Sequence, residues 1–320
     1  MSGRPIVIVG LPRSGTTWTM RALGSAAGAA TVLEGDNEDK FPATIHAKRA
    51  LGRYPVLAPG QAARPYRDLW EWILDGAHED GRSRLARHLL GPGAEQRIHQ
   101  GRRDPVTWLA ATVARSPRTP PAPQTGRGGE DRIVAKSIHA QLAVEWLADQ
   151  FDVDVLLLLR HPANVLASWM ELNLKDSRNS TLETRTDIRR RYLEPWGVQP
   201  PGDDPLERMS WRIGLLIAAV EDARSRHPEW QLRTHEQLCV APTDEFRRLY
   251  DDFGLDWGTA TEEFLEGHNT PGSGFVVNRV ASELPDAWRS RLDADQVATL
   301  RRVLDRFPIS TYSDEDFAPR

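Results

Sequence analysis

Cysteine is almost absent from this chain: Cys239 stands alone among 320 residues, which excludes an intrachain disulfide. A chain of that length buries enough apolar surface to fold without cross-links, and a lone thiol suits a reducing cytoplasm. An excess of charge is missing as well. The 41 basic and 45 acidic residues leave a formal net charge of −4, so nothing draws the whole chain to nucleic acid and any anion site must be local. Long apolar runs are also lacking. Val153 to Leu159 is the size of a strand, and no run approaches the ~18 residues of a membrane span. The short run Ile6 to Val9 leads into a glycine-rich turn and does not read as a signal peptide. The expectation is a soluble, cytoplasmic protein with no membrane span and no nucleic-acid partner. No internal repeat is visible. Tryptophan, by contrast, is plentiful: most of the eleven are expected in the core, with some available to line a pocket.

Apolar runs alternate with helical patterns. Residues 5–9 read as a buried parallel strand and Thr16 to Ala27 as the following helix; 31–34 read as a second strand, ending at the acidic cluster Glu34 to Asp39. Residues 64–90 look helical, and 116–131, rich in Pro and Gly, read as a loop. Ile133 to Ala135 is a third strand before a helix at 140–150. Val153 to Leu159 is the clearest strand, leading through Arg160-His161-Pro162 into a helix. Further helices are expected over Pro205 to Arg226, Glu245 to Phe253 and Asp293 to Phe307. The fold class is therefore α/β, a P-loop-like parallel β-sheet flanked by helices on both faces. The chain reads as one domain over 1–320. Its charged and then Pro-rich stretch 173–205 is either a lid, an acceptor-recognition insert or a solvated excursion.

The strongest local signal lies between the first strand and its helix: Gly10-Leu-Pro-Arg13-Ser14-Gly15-Thr16-Thr17. Set against the nucleotide-binding pattern G-x-x-x-x-G-K-[ST], both glycines and the final hydroxyl fit, but Thr16 occupies the lysine position. That lysine reaches the β- and γ-phosphates, so ordinary ATP or GTP hydrolysis is not expected. What remains is a cradle of backbone N–H groups at a helix start, supplemented by three hydroxyls and the Arg13 charge. A second anion site begins at Arg160, at the C-terminal end of the clearest strand, where parallel sheets bind ligands. Ser168 lies along the helix that follows. Two such sites suit a nucleotide with phosphates on both its 3′ and 5′ positions.

At these two segments the chain resembles the sulfotransferases that use 3′-phosphoadenosine-5′-phosphosulfate (PAPS). Pro12 to Trp18 is similar to their 5′-phosphosulfate loop, and Arg160 to Ser168 to their 3′-phosphate motif. Weaker similarity covers Lys136 to His139, Thr234 to Leu238, and Arg279 to Leu300. The resemblance implies that Arg13, Ser14, Gly15, Thr16, Thr17 and Trp18 hold the 5′ end of the donor. Arg160 and Ser168 would hold its 3′-phosphate, with Arg279 as a third contact although the family's glycine-containing C-terminal motif is not intact. It also implies that no metal is required and that the product is 3′,5′-adenosine bisphosphate (PAP).

Sulfuryl transfer depends on positioning and on stabilising the charge that grows on the bridging oxygen. Arg13, Lys136 and the loop N–H groups are the candidates for that task. For the general base the resemblance leaves several residues open. Glu34, after the second strand, is favoured. His139 comes next, although it lies one place further from Lys136 than the family's histidine; Asp36, Glu38 and His46 are the remaining candidates. A small molecule, a lipid and a glycan are all compatible acceptors, and the sequence is silent on oligomeric state. The rival readings are a P-loop kinase or NTPase with a substitute cation, and a non-catalytic binder of a PAP-type nucleotide.

Overall fold

The computed structural model describes residues 3–38, 44, 47–75, 132–172, 182–268 and 285–318. The expected loop at 116–131 and most of the helical stretch beyond Leu74 lie outside them. The chain alternates strand and helix: β1 (Ile6–Gly10), α1 (Thr16–Leu23), β2 (Ala29–Leu33), α2 (Arg64–Leu74), β3 (Arg132–Ser137), α3 (Val144–Gln150), β4 (Asp154–Leu159) and α4 (Pro162–Glu171). After them come α5 (Pro205–Arg226), β5 (Gln231–Thr234), α6 (His235–Val240), α7 (Pro242–Phe253), α8 (Thr259–His268), α9 (Ala294–Leu304) and α10 (Asp314–Phe317).

The strands form one five-stranded sheet in the order β2-β3-β1-β4-β5, flanked by helices. β1 and β2 each pair in parallel with β3, and β4 pairs in parallel with β5. All five residues of β1 and all six of β3 are buried, as a parallel strand covered on both faces requires. By contacts the chain divides into two compact units. One comprises Met1–Val9, Thr17–Val155 and Tyr250–Thr261; the other comprises Gly10–Thr16, Leu156–Leu249 and Glu262–Arg320. Each is assembled from three separate stretches of chain, so no single linker marks the division in the sequence.

In the first unit, Ile8 of β1 registers with Lys136 of β3, and Leu33 of β2 does so from the other side. The C-terminal ends of these three strands therefore share one edge. Trp70, Tyr66 and Trp146 are fully buried, and the indole N–H of Trp146 is satisfied by the Gln61 carbonyl at 2.7 Å. The Arg132 guanidinium donates to the carbonyls of Arg4 and Phe253 and pairs with Asp154. The returning stretch is fastened by Tyr250, whose hydroxyl donates to the Ala22 carbonyl at 2.6 Å and contacts Thr261 Oγ1 at 2.8 Å.

In the second unit, α5 carries a clear start signal. Asp204 caps it by accepting from the Glu207 N–H, and Pro205 occupies the first turn, where a missing N–H costs nothing. Trp211, Leu215, Ala218 and Ala219 are buried along α5, which packs on α9. The described part of the 173–205 stretch holds short helical turns at Thr186–Ile188, Arg189–Leu193 and Glu194–Trp196. They are anchored by buried Ile188, Tyr192 and Leu193.

A Tyr250→Phe substitution keeps the ring and removes the hydroxyl that ties the returning stretch to α1. It is expected to lower the unfolding free energy by about 1 kcal/mol in urea denaturation. An unchanged midpoint would show that this bond does not fasten the unit.

Candidate active site

The glycine-rich loop belongs to the second unit, from Gly10 at the end of β1 to Thr16 at the start of α1. Two of its residues have left-handed backbone: Gly15 at φ 90° and, more unusually, Arg13 at φ 75°. The Ser14 N–H and hydroxyl both donate to the Leu11 carbonyl, at 3.1 and 2.7 Å. A Cβ on Gly15 would stand 2.1 Å from His235 Cδ2, and one on Gly10 would stand 2.5 Å from the Leu158 carbonyl oxygen. Neither position admits a side chain. Thr17 and Trp18, half-buried, continue into the first turn of α1.

The segment after β4 holds this loop in place. Arg160 Nη1 donates to the Arg13 carbonyl at 2.8 Å, and Arg13 Nε donates to Ser168 Oγ at 3.0 Å. The Trp169 indole donates to the Pro12 carbonyl at 2.9 Å. The two segments singled out in the sequence are thus brought together, with Arg13, Arg160 and Ser168 in one hydrogen-bonded group. Arg160 Nε is buried and makes no hydrogen bond. Burial works against the Arg160 charge, while Glu236 supports it.

A second group sits at the ends of β2 and β3 in the first unit. Glu34 Oε1 lies 2.6 Å from Lys136 Nζ, and its Oε2 accepts from the Asn37 amide at 2.7 Å. The Glu34 backbone is left-handed, φ 54°, and its N–H donates to the Lys136 carbonyl. Beside this pair, Asp36 Oδ2 accepts from Ser137 Oγ at 2.8 Å and from the Tyr66 hydroxyl at 3.2 Å. Burial pushes the Asp36 carboxyl above its ordinary range, opposed by Lys48.

His139 is fully buried. Arg53 Nε donates to its Nε2 at 3.0 Å, so the ring proton is on Nδ1, which lies 3.4 Å from both Lys48 Nζ and Glu38 Oε2. Burial and the Lys48 and Arg53 charges hold its pKa well below the usual histidine value. His46 and Arg279 lie outside the described residues. Among those described, no cluster of three or more His, Cys, Asp or Glu side chains could hold a metal ion.

The family model described as the sulfotransferase family matches residues 5–259. The chain belongs to the sulfotransferase family. Solved structures similar to this sulfotransferase include the sulfotransferase domain of the curacin biosynthetic pathway, at 14% identity and TM-score 0.46, covering 97% of this chain and 99% of that one. The domain from the Synechococcus PCC 7002 olefin synthase has 15% identity and TM-score 0.43, over 94% and 95% of the two chains. A mouse sulfotransferase complexed with PAP has 10% identity and TM-score 0.44, over 98% and 86%. No curated protein sequence matches the chain.

Several residues packed around these two groups were given no role from the sequence. His235, against Gly15, belongs to a capping box in which Thr234 and Gln237 satisfy each other's backbone N–H groups. The Thr-x-x-Gln spacing was the available signal. Trp169, Lys48 and Arg53 carry no such local mark. No helix among the described residues is long and apolar enough to cross a membrane.

His161, next to Arg160, supplies a pH-dependent test. Its Nδ1 caps α4 by accepting from the Ala163 N–H, so the ring is neutral, and burial lowers its pKa to about 4. The unfolded chain therefore takes up a proton near pH 6.5 that the folded one refuses until about pH 4. The contribution of His161 is complete above pH 6.5 and lost on acidification across that window, by roughly 3 kcal/mol. His161→Asn keeps a capping side chain without titrating. Relative to that variant, the wild type is expected to lose stability in denaturant titrations between pH 6.5 and 4; parallel curves would refute the buried neutral ring.

Proposed function

We propose that this sulfotransferase takes its sulfuryl group from PAPS and passes it to an acceptor hydroxyl, releasing PAP. The observation that carries the reading is the bonded group of Arg13, Arg160 and Ser168, which joins the glycine-rich loop to an arginine with an unsatisfied buried Nε. Those features suit a ligand with phosphates at two positions: backbone N–H groups and hydroxyls for one, a guanidinium and a hydroxyl for the other. Arg13, Ser14, Gly15, Thr16, Thr17 and Trp18 would hold the 5′ end. Arg160 and Ser168 would hold the 3′-phosphate, joined by Arg279. The donor supplies a sulfuryl group already attached to a phosphate leaving group.

The remaining chemistry falls to the chain. Lys136 and Arg13 counter the negative charge that develops on the bridging oxygen. Glu34 accepts the proton of the acceptor hydroxyl. It is preferred over His139, because both ring nitrogens of His139 are engaged in a closed, buried network. Asp36 Oδ2 is occupied by Ser137 and Tyr66, bonds that hold the turn carrying Glu34 against the end of β3. The acceptor is a small molecule, a lipid or a glycan bearing a hydroxyl, met in the cytoplasm.

The test is transfer of labelled sulfate from PAPS across a panel of hydroxyl compounds, followed by the Glu34→Gln variant on whichever compound is sulfated. Removal of the base is expected to lower turnover by about 10²–10⁴ with PAP affinity preserved. Normal turnover in that variant would transfer the role to another residue, and label that never leaves PAPS with any acceptor would reduce the protein to a nucleotide binder.

A further inference from the structure

The C-terminal stretch lies beyond the span matched by the family model, which ends at residue 259, yet it is built onto the Arg160 segment. The Tyr312 hydroxyl donates to Glu236 Oε2 at 3.2 Å. The other oxygen of the same carboxylate accepts from the backbone N–H of His161 at 3.0 Å. The His161 ring is then enclosed on several sides. It stacks on Trp288 at 5.3 Å with an interplanar angle of 2°, meets Tyr312 edge-on at 5.4 Å and lies 4.6 Å from the Phe317 ring. One residue upstream is Arg160, whose charge the Glu236 carboxylate supports. Further along α4, the Asn164 amide donates to the Pro285 carbonyl at 2.8 Å.

A hydroxyl in the tail thus reaches, through one carboxylate, the backbone turn from which Arg160 emerges. Glu236 is mostly buried and has two separate partners, so losing one frees the carboxylate to shift and slackens its hold on the other. Guanidinium recognition of phosphate is bidentate and tolerates little displacement. The turn between β4 and α4 therefore decides how well Arg160 can grip an anion.

We propose that Tyr312 and Glu236 are positioning residues for the 3′-phosphate site, so that recognition of the 3′-phosphate depends on the C-terminal tail being seated. This inference rests on the donor reading above. Neither residue touches the nucleotide; they act through the His161 backbone and Arg160.

The experiment compares affinities for PAP and 5′-AMP by calorimetry on the full chain, in the wild type, Tyr312→Phe and Tyr250→Phe. The phenylalanine variant keeps the ring against His161 and deletes only the hydroxyl. Its PAP affinity is expected to fall about tenfold while 5′-AMP, which lacks the 3′-phosphate, binds as before. Tyr250→Phe removes a buried hydroxyl from the other unit and serves as the matched control, with the preference for PAP retained. Amide hydrogen exchange at His161 should also become faster in Tyr312→Phe, which reads the turn directly even if the variant is less stable. A wild type without preference for PAP overturns the donor reading and this inference with it. A wild-type preference that survives intact in Tyr312→Phe overturns the positioning role alone.

Discussion

The constraint on which the proposed donor site depends is the set of bonds that holds the loop after β1 in its left-handed shape. A non-glycine residue at positive φ costs about 1–3 kcal/mol, and Arg13 is such a residue. Three hydrogen bonds oppose relaxation: Arg160 to the Arg13 carbonyl, Arg13 to Ser168, and Trp169 to the Pro12 carbonyl. At about 1 kcal/mol each, they are of the size needed to retain the strain. The two segments specify each other. The loop keeps its shape because Arg160 and Trp169 pin its carbonyls, and Arg160 is oriented because the loop offers it an acceptor.

The same economy operates at the ends of β2 and β3. Among the described residues the only other non-glycine residue at positive φ is Glu34, the proposed base. Its strain is retained by a buried lysine on one carboxylate oxygen, an amide on the other and a backbone bond to Lys136. Around it, Asp36, Lys48, Glu38, Arg53 and His139 form a buried polar network. In such a network the loss of one member strands the charge of another and costs several kcal/mol. That network makes the turn rigid, and rigidity of the turn is what a base needs to meet an incoming hydroxyl in a reproducible geometry.

How much of this was legible depended on how local each signal was. β1 and β4 announced themselves as continuous apolar runs, and the start of α4 at Pro162 and all of α5 followed from proline placement and apolar spacing. β5 escaped because Gln-Leu-Arg-Thr is short, half-exposed and mostly polar, with no pattern to distinguish it from a loop. α8 was not anticipated either. α1 stops at Leu23, short of the expected Ala27, because Gly24 and Ser25 close it with turn bonds back to Met20 and Ala22. β2 begins at Ala29, since pairing with Arg132 and Ile133 overrides the weak strand preference of two alanines. Within the candidate site, the glycine-rich loop could be read from its spacing, and the Arg160 segment from its place after β4 together with the family resemblance. The contacts that give them meaning could not: Trp169 reaches Pro12 across 157 positions, Lys48 reaches His139 across 91, and Tyr312 reaches Glu236 across 76. No local pattern encodes such pairs.

In the proposed function, this sulfotransferase reads a 3′-phosphate on its nucleotide through Arg160. The most direct measurement is the binding of PAP, 5′-AMP and Mg·ATP by calorimetry to the wild type and to Arg160→Ala. The wild type is expected to bind PAP well above 5′-AMP and Mg·ATP, and the variant to lose that preference. Mg·ATP bound in preference to PAP, or a PAP affinity indifferent to Arg160, would contradict it.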